Sequence, residues 1–275
     1  MISNTFTILN NGVEMPRLGL GVWKVTDDKV LIDAVHAAVK AGYRSIDTAA
    51  IYGNEAAVGE AIRTCGVGRG ELFVTSKVWN SEQGYDSTLR AFETSMDKLG
   101  LEVLDLYLIH WPVKGKYKDT WRALEKLYAD GRVRAIGVSN FHVHHLEDLL
   151  QDAKVVPAVD QVELHPRLTQ QPLREYAQAK GIQIEAWSPL MQGGELLDHP
   201  LLAKIGAAHG KSAAQAILRW DIQHGLVTIP KSVTPSRIEA NAAIFDFELT
   251  PEEMASIDAL NENRRVGADP DNFNF

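Results

Sequence analysis

Short apolar runs alternate with amphipathic stretches along almost the whole of this chain. The run over residues 103–109 is nearly apolar on both faces, which is typical of a strand buried within a parallel sheet. The amphipathic stretches place apolar residues at helical spacing, and several end at a glycine, a frequent stop for a helix. Before the first of these units, Asn11-Gly12 stands between two short extended segments and predicts a β-hairpin.

The alternation predicts eight strand-then-helix units. Strands are predicted over residues 18–21, 44–47, 72–77, 103–110, 133–139, 158–163, 183–187 and 227–229. Helices are predicted over residues 27–41, 54–65, 86–99, 120–130, 144–151, 170–180 and 235–244, with two more between 200 and 224. Eight such units predict an α/β fold, a (β/α)8 TIM barrel with a short N-terminal β-hairpin, as one domain over residues 1–275. The loop-like tail at 264–270 is expected to fold over the barrel mouth.

An open, doubly wound sheet is the alternative architecture. It would usually carry a Gly-x-Gly-x-x-Gly turn after an early strand. The pair Gly19 and Gly21 lacks this spacing, and so does the glycine cluster at 66–70, which precedes a strand. The closed barrel is therefore favoured.

Composition narrows the classes of partner. The net charge of −8, from 28 basic and 36 acidic side chains, disfavours nucleic acid and anionic membranes. The apolar runs are far shorter than the ~20 residues that a membrane-spanning helix needs. Cys65 is the only cysteine, so no internal disulfide forms, which suits a reducing compartment. The first five residues lack the basic and apolar regions of a signal peptide, and a cytoplasmic protein is expected.

Four polar residues stand at or just after predicted strand ends: Asp47, Tyr52, Lys77 and His110. In a barrel the carboxyl ends of all strands open on one face, so these side chains are expected to meet there. Each one alone is an ordinary surface residue. An acid, a phenol, an amine and an imidazole gathered at one mouth together indicate an enzyme that transfers protons.

The chemistry of this set is specific. A free tyrosine titrates near ~10, and an adjacent ammonium lowers that pKa by stabilising the phenolate. Lys77 is expected to act on Tyr52 in this way, Asp47 to keep Lys77 charged, and His110 to hydrogen-bond a carbonyl oxygen. A tyrosine acid beside an oxygen-binding histidine suits proton delivery to a carbonyl that receives a hydride, and hydride transfer needs a cofactor.

The end of the last predicted strand carries groups suited to a phosphate. Lys231 and Arg237 are cations, and Ser232 and Thr234 bear hydroxyls. A helix N-terminus attracts phosphate, and an arginine adds bidentate contacts. The alternative interpretation is a capped helix with solvated charges.

Other strand-end side chains suit a ligand with an aromatic ring. Trp187 offers a flat face for stacking, and Ser139, Asn140 and Gln161 offer contacts for a carboxamide. Three further indoles are expected to form an apolar substrate cup, with core packing as the alternative; they are Trp23, Trp79 and Trp111.

The histidines at 142, 144 and 145 are candidate metal ligands. His142-Val-His144 superficially matches the His-x-His of metal-dependent barrel hydrolases, in which the pair lies at the first strand. Here the cluster starts a helix after a later strand, and no partner carboxylate is evident. No metal is therefore expected, and a metal hydrolase is disfavoured.

Several ordered motifs make the chain resemble the aldo-keto reductase family over nearly its whole length. They are GYRSIDTAAIYGNE at 42–55, LYLIHWP at 106–112, GVSNF at 137–141, QVELHP at 161–166 and IPKS at 229–232. Within that family it is most similar to bacterial glyoxal and methylglyoxal reductases and to 2,5-diketo-D-gluconate reductases, partly because the connection at 113–119 is short.

The resemblance implies NADPH-dependent reduction of aldehydes, ketones and dicarbonyls, as in detoxification. It implies Tyr52 as general acid, supported by Asp47, Lys77 and His110. It implies a set of cofactor contacts: Gly21, Val22, Trp23, Asp47, Ser139, Asn140, Gln161, Trp187, Ser188, Leu190, Lys231, Ser232, Val233, Thr234, Arg237 and Asn241. It implies a set of substrate contacts: Trp23, Tyr52, Trp79, His110 and Trp111.

One departure and two alternatives remain. Many members carry a glutamate that contacts adenine where this chain has Ala240, and Glu239 points about 100° away on a helix. Reduction of 2,5-diketo-D-gluconate or another keto sugar is the alternative activity. An NADPH-binding regulatory subunit is a second alternative, disfavoured because a pure binder has no use for a tuned phenol. A small-molecule carbonyl substrate and a monomeric state are expected.

Overall fold

A computed structural model describes residues 5–275, and the four residues before Thr5, part of the N-terminal stretch discussed above, lie outside the described residues. The strands are β1 (Phe6–Ile8), β2 (Glu14–Pro16), β3 (Gly19–Gly21), β4 (Ser45–Asp47), β5 (Phe73–Val78), β6 (Leu104–Ile109), β7 (Val133–Ser139), β8 (Val159–Glu163), β9 (Gln183–Trp187) and β10 (Val227–Thr228). The helices are α1 (Asp28–Lys40), α2 (Glu55–Thr64), α3 (Tyr85–Leu99), α4 (Tyr117–Ala129), α5 (Val143–Leu150), α6 (Gln171–Lys180), α7 (Pro200–Ala208), α8 (Ala213–Gln223), α9 (Pro235–Ala242) and α10 (Pro251–Asp258).

The strands β3 to β10 form one parallel eight-stranded sheet in chain order. The sheet closes on itself where Leu18 bridges Thr228 in parallel and the Thr228 amide donates to Arg17 O at 2.9 Å. Helices α1 to α9 follow these strands. The predicted (β/α)8 barrel is therefore confirmed.

The N-terminal hairpin of β1 and β2 is antiparallel, with Thr7 opposite Met15. Met15 is fully buried and packs with residues of the barrel interior such as Leu106 and Val159. Residues from the amino-terminal parts of the strands fill this end of the barrel. The opposite end, where the strands terminate, is left for polar side chains.

The larger core lies between the sheet and the helices. Phe92 of α3 packs edge-on against Tyr107 of β6 at 5.1 Å between ring centroids, and both are completely buried. Burial of apolar faces at helical spacing on α1 to α9 stabilises this layer, at about 25 cal/mol per Å² removed from water.

Two features differ from the sequence-based prediction. Helix α10 was not predicted, although Thr250 caps it by accepting from the Glu253 amide at 3.2 Å, with Pro251 at its first position. Helix α4 begins at Tyr117, before the predicted start at residue 120. Within residues 5–275, no helix is long and apolar enough to cross a membrane.

Candidate active site

A buried ion pair lies at the carboxyl ends of β4 and β5. Lys77 Nζ donates to Asp47 Oδ1 at 2.7 Å, to Asp47 Oδ2 at 2.9 Å and to Thr48 O at 2.9 Å. The Lys77 side chain is 0% exposed and that of Asp47 is 3% exposed. Burial alone would lower the pKa of Lys77, but Asp47 and the nearby Tyr52 raise it above its ordinary value. The ammonium is therefore charged, and three oxygens satisfy its donors.

Tyr52 lies over this pair at the end of a 3-10 turn that follows β4. Lys77 Nζ is 5.2 Å from the centroid of its ring. Burial raises the pKa of Tyr52 above its ordinary value, while the Lys77 ammonium lowers it and Asp47 raises it further. The net direction is upward, opposite to the lowering expected from Lys77 alone, because that expectation left out the loss of solvent around the phenol.

His110 follows β6 and completes the group. Its ring meets Tyr52 edge-on at 5.8 Å and Trp79 at 5.1 Å between centroids. Burial and the charge of Lys77 lower the pKa of His110 well below its ordinary value, so the imidazole is neutral near pH 7. Its Nδ1 is buried and has no hydrogen-bond partner among the described residues. The structure thus gathers the four predicted residues at one mouth.

Gln161 of β8 connects this group to an acid that sequence reasoning did not assign. Its Nε2 donates to Asp47 Oδ2 at 2.7 Å and to Glu185 Oε2 at 2.8 Å. Glu185 lies in β9 and is 0% exposed. Burial, with the nearby Asp47 charge, raises the pKa of Glu185 to about 8. The available signal was an acid between two apolar residues, Ile184 and Ala186, in a predicted strand.

Asn140, Ser139 and Trp187 form a linked set beside Gln161. Asn140 Nδ2 donates to His110 O at 2.9 Å and to Ser139 Oγ at 3.2 Å, and its Oδ1 accepts from Trp187 Nε1 at 2.9 Å. The Ser139 hydroxyl donates to Gln161 O at 2.7 Å. Asn140 has φ of 63°, a strained value for a residue with a side chain. In this set of hydrogen bonds, the side-chain oxygen Oε1 of Gln161 accepts none from the described residues.

The last strand leads into an exposed cationic segment before α9. Lys231 and Arg237 are exposed, and no carboxylate of residues 5–275 pairs with either one. Ser232 Oγ accepts from the Thr234 amide at 3.2 Å. Other residues predicted to contact the cofactor lie in this region or at neighbouring strand ends: Gly21, Val22, Ser188, Leu190, Val233 and Asn241. The segment offers cations and hydroxyls at a helix N-terminus, as phosphate requires.

The three predicted indoles have different surroundings. Trp79 stacks on Phe275 at 5.8 Å, and Trp111 contacts Phe275 and Phe273 at 5.2 Å each. Trp23 is 41% exposed, and its ring is contacted by Lys24 at 4.1 Å. Trp79 and Trp111 are thus joined by two tail phenylalanines that sequence reasoning missed, and the place of Trp23 in the cup stays a prediction.

The C-terminal tail crosses the mouth and is held there. Glu163 of β8 accepts from the Val266 amide at 2.6 Å and from the Gly267 amide at 3.0 Å. A Cβ at Gly267 would lie 2.4 Å from Trp187 Cη2, so only glycine allows this approach. A cavity of about 880 Å³ opens beside the cup, between Trp79 and the tail.

The histidine cluster has a partner carboxylate after all, because the tail brings Asp271 to it. Asp271 lies 3.1 Å from His142 Nδ1, 2.9 Å from His144 Nε2 and 3.4 Å from His145 Nε2. His142 Nε2 faces Arg265 at 3.0 Å, and His145 Nδ1 accepts from the His142 amide at 3.1 Å. These contacts leave the other nitrogens of His142 and His145 protonated and aimed at Asp271, which suits a hydrogen-bonded latch rather than lone pairs for a cation.

Comparisons with known proteins show what the chain is similar to. The model of the aldo/keto reductase family matches residues 17–262. An uncharacterized oxidoreductase, YtbE of Bacillus subtilis (strain 168), is 64% identical over 271 residues, covering 97% of this chain and 96% of that protein. A glyoxal reductase of the same organism is 64% identical over 267 residues, covering 97% and 96%.

Solved structures give the same result. A deep-sea metagenome aldo-keto reductase, MGS-M4, is 47% identical with a TM-score of 0.95, covering 98% of this chain and 100% of that one. A mutant of Gox0644 crystallised in complex with NADPH is 44% identical with a TM-score of 0.94, covering 98% and 99%.

Proposed function

Since the chain belongs to the aldo/keto reductase family and is an NADP-dependent oxidoreductase, we propose that it reduces small reactive dicarbonyls with Tyr52 as the proton donor. The observation that carries the proposal is the position of the Tyr52 phenol over the buried Lys77–Asp47 pair, next to a neutral His110. A binding protein without catalysis would gain nothing from burying a lysine beneath a phenol.

Each residue of the mouth has a separate role in proton transfer. NADPH, when bound, would supply the hydride that the carbonyl carbon receives. The Tyr52 hydroxyl gives its proton to the carbonyl oxygen, so the substrate gains two electrons and two hydrogens in all. Lys77 stabilises the phenolate that is left, and Asp47 holds Lys77 in place. The neutral His110 donates one N–H to the same oxygen and orients it.

The raised pKa of Tyr52 fits this role. A phenol that is protonated at neutral pH already holds the proton that it donates in the reaction. As the carbonyl oxygen becomes negative, Lys77 favours proton release at that moment. The buried pair therefore assists the transition state more than the resting enzyme.

The donor set fits a phosphorylated dinucleotide. Lys231 and Arg237 are unpaired among the described residues, and Ser232 and Thr234 add hydroxyls beside α9. We assign this segment to the ribose 2′-phosphate. Asn241, Ser188 and Leu190 complete the path, while Ala240 provides no side chain for adenine.

The nicotinamide end has its own contacts. Gln161 Oε1 accepts no described hydrogen bond, and Trp187 is half-buried with Gly267 of the tail packed against its ring; we assign these two residues to the carboxamide and the nicotinamide ring. Ser139 and Asn140 hold these two residues in place and would exchange contacts with a carboxamide. The exposed Trp23, with Gly21 and Val22 before it, lies on the loop where a ligand would enter.

Small dicarbonyls suit the substrate cup. Trp79 meets His110 edge-on, and Trp79, Trp111 and the tail residues Phe273 and Phe275 form an apolar wall beside it. The glyoxal reductase relative is named for a substrate of this kind. We also propose a monomer, and the single cysteine supports a cytoplasmic location.

A substrate panel read by NADPH absorbance tests the assignment. We expect methylglyoxal and glyoxal to give kcat/KM values at least tenfold above those of aldohexoses and keto sugar acids. Higher kcat/KM values for keto sugar acids would contradict dicarbonyl reduction and support the keto-sugar alternative. Bound NADPH without turnover on any carbonyl would instead favour the regulatory alternative.

A further inference from the structure

Two buried carboxyl groups hold the side-chain amide of Gln161. One amide hydrogen points to Asp47 Oδ2 at 2.7 Å and the other to Glu185 Oε2 at 2.8 Å. Reversing the amide would place its oxygen against the Asp47 carboxylate, so the network itself decides which atom is nitrogen. With both hydrogens committed, Oε1 points to the remaining side, where it accepts no described hydrogen bond.

Glu185 has an unusual environment for a carboxyl group. It is 0% exposed, between Ile184 and Ala186 in β9, and Gln161 is its hydrogen-bond partner. Its Oε1 is buried without a partner among the described residues. No cation of the described chain forms an ion pair with it, because Lys77 is bound to Asp47. A buried unpaired carboxylate is costly, so the acid form is favoured.

The charged groups that face Glu185 favour its neutral, protonated form. Asp47 on β4 and Lys77 on β5 already balance each other, and Tyr52 lies above them. Burial and the Asp47 charge raise the pKa of Glu185 to about 8. Ionisation would add a second anion that raises the pKa of Tyr52. A neutral Glu185 accepts from Gln161 without disturbing the phenol.

We propose that Glu185 is a positioning residue for the carbonyl reduction proposed above: as a neutral acid it holds the Gln161 amide, which in turn holds Asp47 against Lys77 and presents Oε1 to the cofactor's carboxamide. Glu185 itself touches neither substrate nor cofactor. It acts through Gln161, which links the ion pair to the cofactor site.

Two variants separate this role from simple packing. Glu185→Gln keeps a neutral acceptor for Gln161, whereas Glu185→Leu removes it. At pH 7 we expect the leucine variant to lose about tenfold in NADPH affinity, measured by quenching of tryptophan fluorescence, and about tenfold in kcat. The glutamine variant is expected to stay within about threefold of the natural protein in both.

Glu55 provides a matched control, because it is a buried acid whose Oε1 accepts from Ser76 at 2.6 Å and whose Oε2 has no described partner. Glu55→Leu should lower stability while leaving NADPH affinity unchanged. Wild-type affinity and turnover in Glu185→Leu would overturn the proposal, and so would a glutamine variant as impaired as the leucine variant.

The ligand-free protein gives a second readout. Below the ordinary pKa of a glutamate, the contribution of Glu185 to stability is complete, and it is lost as pH rises toward about 8. Glu185→Gln should therefore abolish a decline in unfolding free energy between pH 5 and pH 8 that the natural protein shows. An unchanged decline would contradict the neutral acid. If no carbonyl is reduced, the proposed function fails, yet the binding and stability comparisons still decide the role of Glu185.

Discussion

Lys77 Nζ lies 5.2 Å from the centre of the Tyr52 ring while it is bound by Asp47 at 2.7 Å. The ammonium is thus near enough to stabilise a phenolate, yet its direct hydrogen bonds go to Asp47 and Thr48. The mouth therefore holds a protonated phenol over a fixed positive charge.

Replacing Lys77 with methionine should harm both stability and activity. Asp47 would be left buried and unpaired, so we expect a loss of about 3–5 kcal/mol in unfolding free energy. Loss of the charge should also lower kcat, since nothing then stabilises the phenolate. Urea denaturation and NADPH-linked turnover measure the two effects.

The exposed pair of Lys126 and Asp130, with side chains 52% and 45% exposed, supplies the control. Lys126→Met should cost less than about 1 kcal/mol. Equal losses for the two lysine variants would contradict a special role for the buried pair.

Removing Lys231 or Arg237 should weaken preference for NADPH over NADH. In the proposed 2′-phosphate site each would contribute a charge-assisted hydrogen bond worth about 1.5–3 kcal/mol. Arg237→Ala should therefore raise KM for NADPH by at least about tenfold and leave KM for NADH nearly unchanged. Arg90→Ala, on the exposed face of α3, is the control for loss of a surface cation. Equal effects on both cofactors would place the 2′-phosphate elsewhere.

Asp271 is expected to latch the tail over the mouth. Burial would raise its pKa, but hydrogen bonding from His142 and the neighbouring imidazoles lower it below its ordinary value. The stabilisation is thus present above that ordinary value and is lost as pH falls through the lowered one. Asp271→Ala should speed amide hydrogen exchange across residues 264–275 at pH 7 and raise KM for methylglyoxal, because Phe273 and Phe275 then leave the indoles.

Asp97, exposed on α3 without a described partner, offers the matched substitution. Asp97→Ala should leave tail exchange unaltered. A tail that exchanges no faster in Asp271→Ala would contradict the latch and leave the tail to its other contacts, such as Glu163 with the Val266 amide and Asn80 Nδ2 with Phe275 O at 3.0 Å.

The barrel and the four mouth residues were predictable, because strand ends of a (β/α)8 barrel share one face. Asp47, Lys77 and His110 close short apolar runs, as Lys77 does in β5, and Tyr52 follows Asp47 by five residues. The links between strands were not predictable. Gln161 and Glu185 are register partners on the neighbouring strands β8 and β9, but Asp47 comes from β4, far from both in sequence, and Gln161 joins it to Glu185.

Two other features depended on packing. The tail has loop composition, and that composition does not predict that Asp271 contacts three histidines or that Phe275 stacks on Trp79. The pKa of Tyr52 is raised, whereas the sequence predicted that Lys77 would lower it. Burial of the phenol is set by neighbours that residue spacing does not reveal.

The role of Tyr52 is tested most directly by Tyr52→Phe, assayed for methylglyoxal reduction and for NADPH binding in the same preparation. Loss of the proton donor should lower kcat by roughly 10²–10⁴-fold. The NADPH dissociation constant should stay within about threefold, because the proposed cofactor contacts lie at Gln161, Trp187 and Lys231. A Tyr52→Phe enzyme with near-normal turnover would contradict the account.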